Sequence, residues 1–287
     1  MSRVRVAVYG DGAAAPAVLA RLAARRNVAE VHWVSSEAQT VANPKVRWIE
    51  TPPGAIAPLQ PCDVLVLLAP AEMSAQALDV LLDAAHRAGV TQVVSLWTTP
   101  ATHSAVIDAW ASGEGRGATH LYAGLVVGPR LAEPWRAAFQ RRSLPRTSAP
   151  LDLLWDEDLA DALTRAVSEG VRGAYALRAG EPQPTEQLAA ALGWTLASAN
   201  GQPLPPPLDA PALPGWQPRF AGSEAVLQRY LATVPVKLDR RLALLFKLLA
   251  LFGRGKPNPD VPELRVGLHL TGPDGGTVGL VLRGASL

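Results

Sequence analysis

The feature that most constrains the fold is the alternation of strand and helix patterns along the first half of the chain. Residues 3–10 alternate apolar and polar side chains, and residues 14–26 carry apolar side chains at helical spacing. The same pair follows in the apolar run 62–70 and the helical pattern 74–89. Further strand patterns occupy 30–36, 46–50, 91–97 and 119–128. Strands separated by helices of this length are joined by right-handed crossovers and form a parallel sheet.

The second half carries fewer strand patterns and more irregular sequence. A proline-rich segment, 202–218, is expected to run extended over the surface. Residues 264–284 contain two alternating runs around a Gly-Pro-Asp-Gly-Gly turn, which predicts a hairpin. We therefore expect an α/β fold with two domains. Residues 1–150 would form a Rossmann-type doubly wound parallel sheet, and residues 151–287 a smaller α/β cap that ends in the hairpin.

Composition narrows the classes of function. The chain has 287 residues, 48% of them hydrophobic and 18% charged, which is typical of a globular protein. Its net charge is +2 and the basic residues are scattered, so we expect no nucleic-acid partner. It opens on a strand and has no apolar run of roughly 18 residues, so we expect a cytoplasmic protein.

Metal binding is not expected from this sequence. Cys62 is the only cysteine, which excludes disulfides within the chain and a zinc site built on cysteines. The histidines stand far apart in the sequence, with no second ligand at the usual spacing: His32, His86, His103, His120 and His269.

The turn after the first strand has the spacing of a phosphate-binding loop. Gly10, Gly12 and Ala15 match the pattern G-x-G-x-x-(G/A) between a strand and a helix. Gly10 would make the tight turn, Gly12 would let a pyrophosphate approach the backbone, and Ala15 would let the helix pack closely. Asp11 opposes that role, because a carboxylate beside a pyrophosphate costs affinity unless it turns away. Two interpretations stay open, a nucleotide site and a tight turn without a ligand.

The end of the second strand should discriminate between cofactors. An acidic residue there accepts hydrogen bonds from the adenosine ribose of NAD. Here the strand ends in Ser35 and Ser36, which could bind a 2′-phosphate, and Glu37 follows. The sequence therefore leaves NAD and NADP as alternatives.

The order of these segments over residues 3–195 resembles the extended and atypical short-chain dehydrogenase/reductase family. That family includes nucleotide-sugar epimerases and NmrA-like proteins. The run 62–70, which ends in Ala69 and Pro70, resembles the strand that passes under the cofactor. Four further segments resemble family segments in the same order: 81–97, 121–130, 153–163 and 173–193.

The resemblance implies an NAD or NADP cofactor and a catalytic tyrosine with a lysine four residues later. No Tyr-x-x-x-Lys occurs in this chain. His103 stands near the tyrosine position and Ile107 near that of the lysine, while Ser95 could match the family's serine. We therefore expect a weakened dinucleotide site and little or no dehydrogenase activity. The alternative is an active NAD(P)-dependent epimerase or reductase that uses another acid or base such as His103.

A helical pattern from Leu238 to Phe252 has a wide leucine-rich face and a narrow basic stripe. It is compatible with a core helix, a contact between copies of the chain, or a helix on a membrane surface. The resemblance does not extend to this segment.

Overall fold

A computed structural model describes residues 3–12, 14–36, 43–52, 55–56, 59–98, 103–133, 135–147, 149–197 and 210–233, and the backbone of 264–269 and 277–282. The strands are β1 Val4–Tyr9, β2 Val28–Ser35, β3 Val46–Glu50, β4 Val64–Leu67, β5 Gln92–Trp97, β6 Gly117–Ala123, β7 Leu125–Val127, β8 Ser143–Pro145, β9 Leu153–Trp155, β10 Gly173–Leu177, β11 Thr195–Ala197, β12 Leu264–His269 and β13 Thr277–Leu282. The helices are α1 Ala15–Ala24, α2 Ala75–Arg87, α3 Ser104–Ala111, α4 Trp135–Gln140, α5 Asp156–Glu169, α6 Thr185–Leu192 and α7 Ser223–Thr233.

The main sheet has seven strands in the order β10-β6-β5-β4-β1-β2-β3, and all of its neighbours are parallel. This confirms the predicted doubly wound Rossmann-type sheet. The chain order reverses between β1 and β4, because β2 lies on one side of β1 and β4 on the other. A crevice opens at such a point, beyond the carboxyl ends of the strands, and ligands of these sheets bind there.

Helices cover both faces of the sheet. The side chains of Val6 and Val8 face a core built with α1 and α5, whereas Ala7 between them faces a core built with α2 and α3. This alternation follows from the period of two along a strand. α2 is capped by Ser74, whose side chain accepts a hydrogen bond of 3.1 Å from the backbone N–H of Ala77.

The predicted strand 119–128 is two strands in the structure. The chain leaves the main sheet at Gly124, where an added Cβ would meet the backbone carbonyl of Asp152. The N–H of Leu125 donates to that same carbonyl at 2.8 Å, so β7 pairs with β9 instead of continuing β6. Packing against a distant segment thus ends a strand that its own sequence would have continued.

The C-terminal half contributes to the main sheet as well as to smaller ones. α5 packs against α1, and β10 forms the edge of the main sheet beside β6. The sheet therefore extends past residue 150 in the sequence, and the division into two domains at that residue stays a prediction. Within the proline-rich segment, the carbonyl of Pro211 accepts a hydrogen bond of 2.9 Å from Ala176 of β10.

β12 and β13 pair antiparallel from Leu264↔Leu282 to His269↔Thr277, which confirms the predicted hairpin. The segment from Leu238 to Phe252 lies outside the described residues, so its expected roles stay predictions. No helix among the described residues has the length and apolar character needed to cross a bilayer.

Candidate functional site

A cleft of 340 Å³ lies beyond the carboxyl ends of β1, β2 and β4, where the order of the strands reverses. We call it the switch-point cleft. It is lined by Tyr9, Gly10, Asp11, Val34, Ser35, Ser36, Thr51, Pro52, Ala55, Ile56, Leu67, Ala69, Pro70, Glu72, Met73, Ser74 and Ala77. The position is the one at which doubly wound sheets hold a nucleotide.

The two glycines of the turn meet different structural requirements. Gly10 has a φ of +109°, a conformation that side chains with a Cβ rarely adopt. Its backbone is held in place, since its N–H donates to Val34 at 3.0 Å and its carbonyl accepts from the Trp33 indole at 3.2 Å. A Cβ on Gly12 would meet nothing within 4 Å. The fold therefore requires glycine at position 10, while position 12 leaves open space in front of the helix.

The start of α1 has an uncapped dipole end but few donors, because the Ala15 N–H donates to the Gly12 carbonyl at 3.0 Å and Pro16 has no N–H. Ala14 occupies the capping position without a side-chain hydrogen bond, and no acidic side chain lies in the first turn. The first N–H groups of a helix have no partners within the helix and attract negative charge. Ala15 is 1% exposed, and its small side chain allows the close packing of α1 that the sequence pattern predicts.

Asp11 turns toward the end of β2. Its Oδ2 accepts hydrogen bonds from the Ser36 hydroxyl at 2.7 Å and from the Ser36 backbone N–H at 3.2 Å. These bonds tie the glycine turn to the second strand. The lining contains a second carboxylate, that of Glu72, and among its described residues no lysine or arginine.

Residues after β3 close one side of the cleft. The Tyr9 hydroxyl donates to the carbonyl of Ala55 at 2.9 Å, and the Thr51 hydroxyl donates to the same carbonyl at 3.1 Å. Burial raises the pKa of Tyr9, and the charge of Asp11 adds to the shift, while a hydrogen bond with Thr51 opposes it. Tyr9 is therefore a neutral donor at physiological pH.

The structure brings most of the predicted cofactor residues together. Six of the eight line the cleft, namely Gly10, Asp11, Ser35, Ser36, Ala69 and Pro70. Gly12 and Ala15 lie beside it, the first exposed and the second buried. Sequence reasoning missed the contribution of Thr51 and of the residues that follow it. The available signal was the strand pattern 46–50, because parallel neighbours end at one edge of a sheet and residue 51 follows that strand.

Ser95 lies within β5 and is 0% exposed. Its hydroxyl lies 2.8 Å from Nδ1 of His120, and the indole N–H of Trp97 donates to the same hydroxyl at 2.9 Å. Nε2 of His120 lies 2.9 Å from a carboxylate oxygen of Asp108 on α3. Because the carboxylate only accepts, a neutral His120 carries its proton on Nε2 and accepts at Nδ1. The order serine, histidine, carboxylate resembles a hydrolase triad, but this serine has no exposed surface, so the network joins α3 to the sheet.

His103 and Ile107, which stand near the positions expected for the family's tyrosine and lysine, lie at the start of α3 and within it. His103 is half-buried at the start of α3, and its side chain does not cap the helix. Ile107 is 0% exposed and packs in the core between the sheet and the helices α2 and α3. Tyr122 is a further titratable residue in this region that the sequence analysis did not single out. It lies opposite Trp97 in the register of the parallel strands β6 and β5. Burial raises the pKa of Tyr122, and the charge of Asp108 adds to the shift, while a hydrogen bond with Ser104 opposes it.

Among the described residues, no group of three or more histidine, cysteine, aspartate or glutamate side chains is arranged to hold a metal ion. The expected absence of a metal stays a prediction for the whole chain.

No protein-family model and no curated protein matches the sequence. Solved structures do match the fold. A UDP-N-acetylglucosamine 4-epimerase of Methanobrevibacter ruminantium, in complex with UDP-N-acetylmuramic acid, is similar with a TM-score of 0.58 and 13% identity, over 73% of this chain and 90% of that one. The enzyme WbmH of Bordetella bronchiseptica, in complex with NAD⁺, is similar with a TM-score of 0.53 and 18% identity, over 72% and 89% of the two chains.

An NADPH-dependent quinone oxidoreductase of Escherichia coli, complexed with NADPH, is similar with a TM-score of 0.52 and 21% identity, over 70% of this chain and 78% of that one. Identities this low establish a shared fold and leave the ligand and the reaction open. The chain thus shares its Rossmann-type fold with a UDP-N-acetylglucosamine 4-epimerase, with WbmH and with an NADPH-dependent quinone oxidoreductase.

Proposed function

We propose that this protein binds an NAD-type or NADP-type dinucleotide weakly in the switch-point cleft and lacks the tyrosine–lysine hydride chemistry of the family that its sequence resembles. The observation that carries the proposal is the cleft itself. Six of the residues that the sequence analysis assigns to a cofactor site line this cleft, at the point where the order of the strands reverses. Such a protein would use the fold as a ligand-responsive scaffold or sensor.

The geometry of the turn supports a pyrophosphate in front of α1. Gly12 leaves open space there, and the first turn of the helix has neither a side-chain cap nor an acidic residue. Asp11, the expected obstacle, is bonded to Ser36 at the end of β2. The Ala15 N–H already donates to the Gly12 carbonyl at 3.0 Å and Pro16 has no N–H, so the attraction of this turn for a diphosphate would come mainly from the helix dipole.

The charges around the cleft support weak binding. Its described lining has carboxylates at Asp11 and Glu72 and no cationic side chain. The position expected to hold a ribose-binding lysine is Ile107, which is buried in the core. Each lost charge-assisted contact costs on the order of 1–3 kcal/mol. Two such losses weaken a micromolar site about a hundredfold or more.

The alternative function is an NAD(P)-dependent epimerase or reductase that uses His103 as its acid or base. The position of His103 favours it, because this half-buried residue stands at the N-terminal capping position of α3, near the place expected for the family's tyrosine. Replacement of His103 with Ala separates the two functions. It would abolish activity toward nucleotide sugars or quinones in an enzyme, and it would leave dinucleotide binding unchanged in a sensor.

Binding is tested by titrating the purified protein with NADH and with NADPH, followed by nicotinamide fluorescence. We expect no dinucleotide to copurify, and a dissociation constant in roughly the high-micromolar range for the better ligand. Copurification of a stoichiometric dinucleotide would contradict the weakened site. Absence of saturation by both ligands at millimolar concentration would contradict the nucleotide function altogether.

A further inference from the structure

We propose that Asp11 makes the switch-point cleft selective for dinucleotides with a free 2′-hydroxyl on the adenosine ribose, which is NAD rather than NADP. This inference rests on the proposed function. The selecting charge would come from the glycine turn and not from the end of the second strand, where doubly wound dinucleotide-binding folds usually carry it.

The hydrogen bonds of Ser36 disfavour a 2′-phosphate. In a doubly wound sheet, the end of the second strand lies beside the adenosine ribose. The donors that β2 offers at its end include the Ser36 hydroxyl and backbone N–H, and both donate to Oδ2 of Asp11, at 2.7 Å and 3.2 Å. A 2′-phosphate offers oxygens that need such donors at neutral pH. It would have to displace the carboxylate that already holds them.

The negative charge of the cleft also disfavours a 2′-phosphate. A phosphate monoester has a charge of about −1.5 to −2 at neutral pH. It would meet Asp11 directly, with Glu72 in the same cleft and no lysine or arginine in its described lining. A free ribose hydroxyl is neutral and can itself donate to a carboxylate. At a few ångströms in a partly hydrated cleft, repulsion of a phosphate weakens binding by about tenfold or more relative to that hydroxyl.

The groups in contact with Asp11 keep it in this position. The turn is held by the hydrogen bonds of Gly10, whose N–H donates to Val34 and whose carbonyl accepts from the Trp33 indole. Ser36 directly follows β2, which is hydrogen-bonded on both sides, to β1 and to β3. The carboxylate is therefore fixed between two rigid segments and cannot swing away from an incoming phosphate without breaking its bonds to Ser36.

The test compares NADH and NADPH on three proteins: the native chain, Asp11→Asn, and Asp79→Asn as a control. Asn keeps an oxygen that can accept from Ser36 and removes the charge. Asp79 is exposed on α2 and does not line the cleft, so its replacement changes the net charge by the same amount elsewhere. Dissociation constants come from nicotinamide fluorescence, with NADPH also measured by competition against NADH, and thermal melting checks that each variant is folded.

We expect the native protein and Asp79→Asn to bind NADH about tenfold or more tightly than NADPH. In Asp11→Asn this ratio of affinities should fall to about threefold or less, mainly because NADPH binds more tightly. Equal affinities of the native protein for the two ligands, or an unchanged ratio in Asp11→Asn, would overturn the selectivity and leave the proposed nucleotide site standing. Failure of both ligands to bind the native protein and Asp11→Asn would overturn the nucleotide site, and the selectivity with it. If Asp11→Asn does not fold, Asp11→Ser takes its place: it also removes the charge and keeps a hydroxyl that can accept from Ser36, and it must show the same reduced ratio, whereas an unchanged ratio would overturn the selectivity.

Discussion

At the scale of single residues, Gly10 and Gly12 look equivalent in sequence and differ in the structure. Replacement of Gly10 with Ala forces a Cβ onto a backbone with φ of +109°, and we expect a loss of about 1–2 kcal/mol in the free energy of unfolding. Gly12→Ala meets open space, so its stability should match the native protein while its affinity for NADH falls. Urea denaturation and NADH titration of both variants measure the two effects. A stable Gly10→Ala, or native NADH affinity in Gly12→Ala, would contradict this division of roles.

The buried carboxyl group of Asp156 should make the stability of the protein depend on pH. It is 7% exposed, and its burial, which outweighs hydrogen bonds from the backbone, raises its pKa from 3.8 to about 6. A raised pKa means that the unfolded chain loses the proton first as the pH rises. Asp156 therefore lowers the free energy of unfolding progressively from about pH 4 to pH 6, with no further loss above that range.

Replacement of Asp156 with Asn removes this penalty. We expect Asp156→Asn to be more stable than the native protein by about 1–3 kcal/mol at pH 8, and of similar stability at pH 4. Urea denaturation at the two pH values gives the comparison. Asp161→Asn serves as the contrasting variant, since Asp161 pairs with Arg21 and Arg219 at 2.6 Å and its loss should destabilise the protein at pH 8. A destabilised Asp156→Asn at pH 8 would show that this carboxylate is needed in its charged form.

At the scale of elements, α3 is held to the sheet by a polar network as well as by apolar packing. His120, 4% exposed, bridges the Ser95 hydroxyl on β5 and the Asp108 carboxylate on α3. His120→Leu leaves the buried Ser95 hydroxyl without this partner, and we expect a loss of about 1–3 kcal/mol. Asp108→Ala breaks a bond on the exposed side, where the aspartate side chain is 62% exposed, and should cost less than about 1 kcal/mol.

Urea denaturation ranks these two variants, and hydrogen exchange locates their effects. Faster exchange of α3 amides in His120→Leu, with α1 amides unchanged, is the expected pattern. Equal destabilisation by the two variants would show that the contact between His120 and Asp108, and not the buried hydroxyl, controls the position of α3.

At the scale of the whole molecule, the sheet combines both halves of the chain. α5 covers the same face of the sheet as α1, with Leu159 and Leu163 fully buried, and β10 completes the sheet beside β6. A fragment of residues 1–150 lacks both elements and exposes the apolar face of α1. We expect this fragment to lose cooperative unfolding, measured by near-ultraviolet circular dichroism during urea titration of the fragment and the full chain. A cooperative transition in the fragment would support an independent domain that ends at residue 150.

The sequence by itself determined the elements and the type of fold. β3 has the bounds 46–50 that its pattern predicts, and the glycine turn lies between β1 and α1 as expected. The physical reason is that apolar period and turn chemistry are local properties. Each predicts how one segment buries its own side chains, and the carboxyl edge of a parallel sheet then locates a cleft.

Only the tertiary structure decided which distant groups meet. The bond between Asp11 and Ser36 spans 25 positions, and the one between Ser95 and His120 also spans 25. The end of β6 at Gly124 depends on Asp152, a residue from another strand region. No periodic pattern encodes such contacts, because they arise when whole elements pack and each polar group takes the partner that packing brings within reach. The sequence therefore located the cleft, while the direction of its carboxylate and the burial of Ser95 followed from the packing of the complete fold.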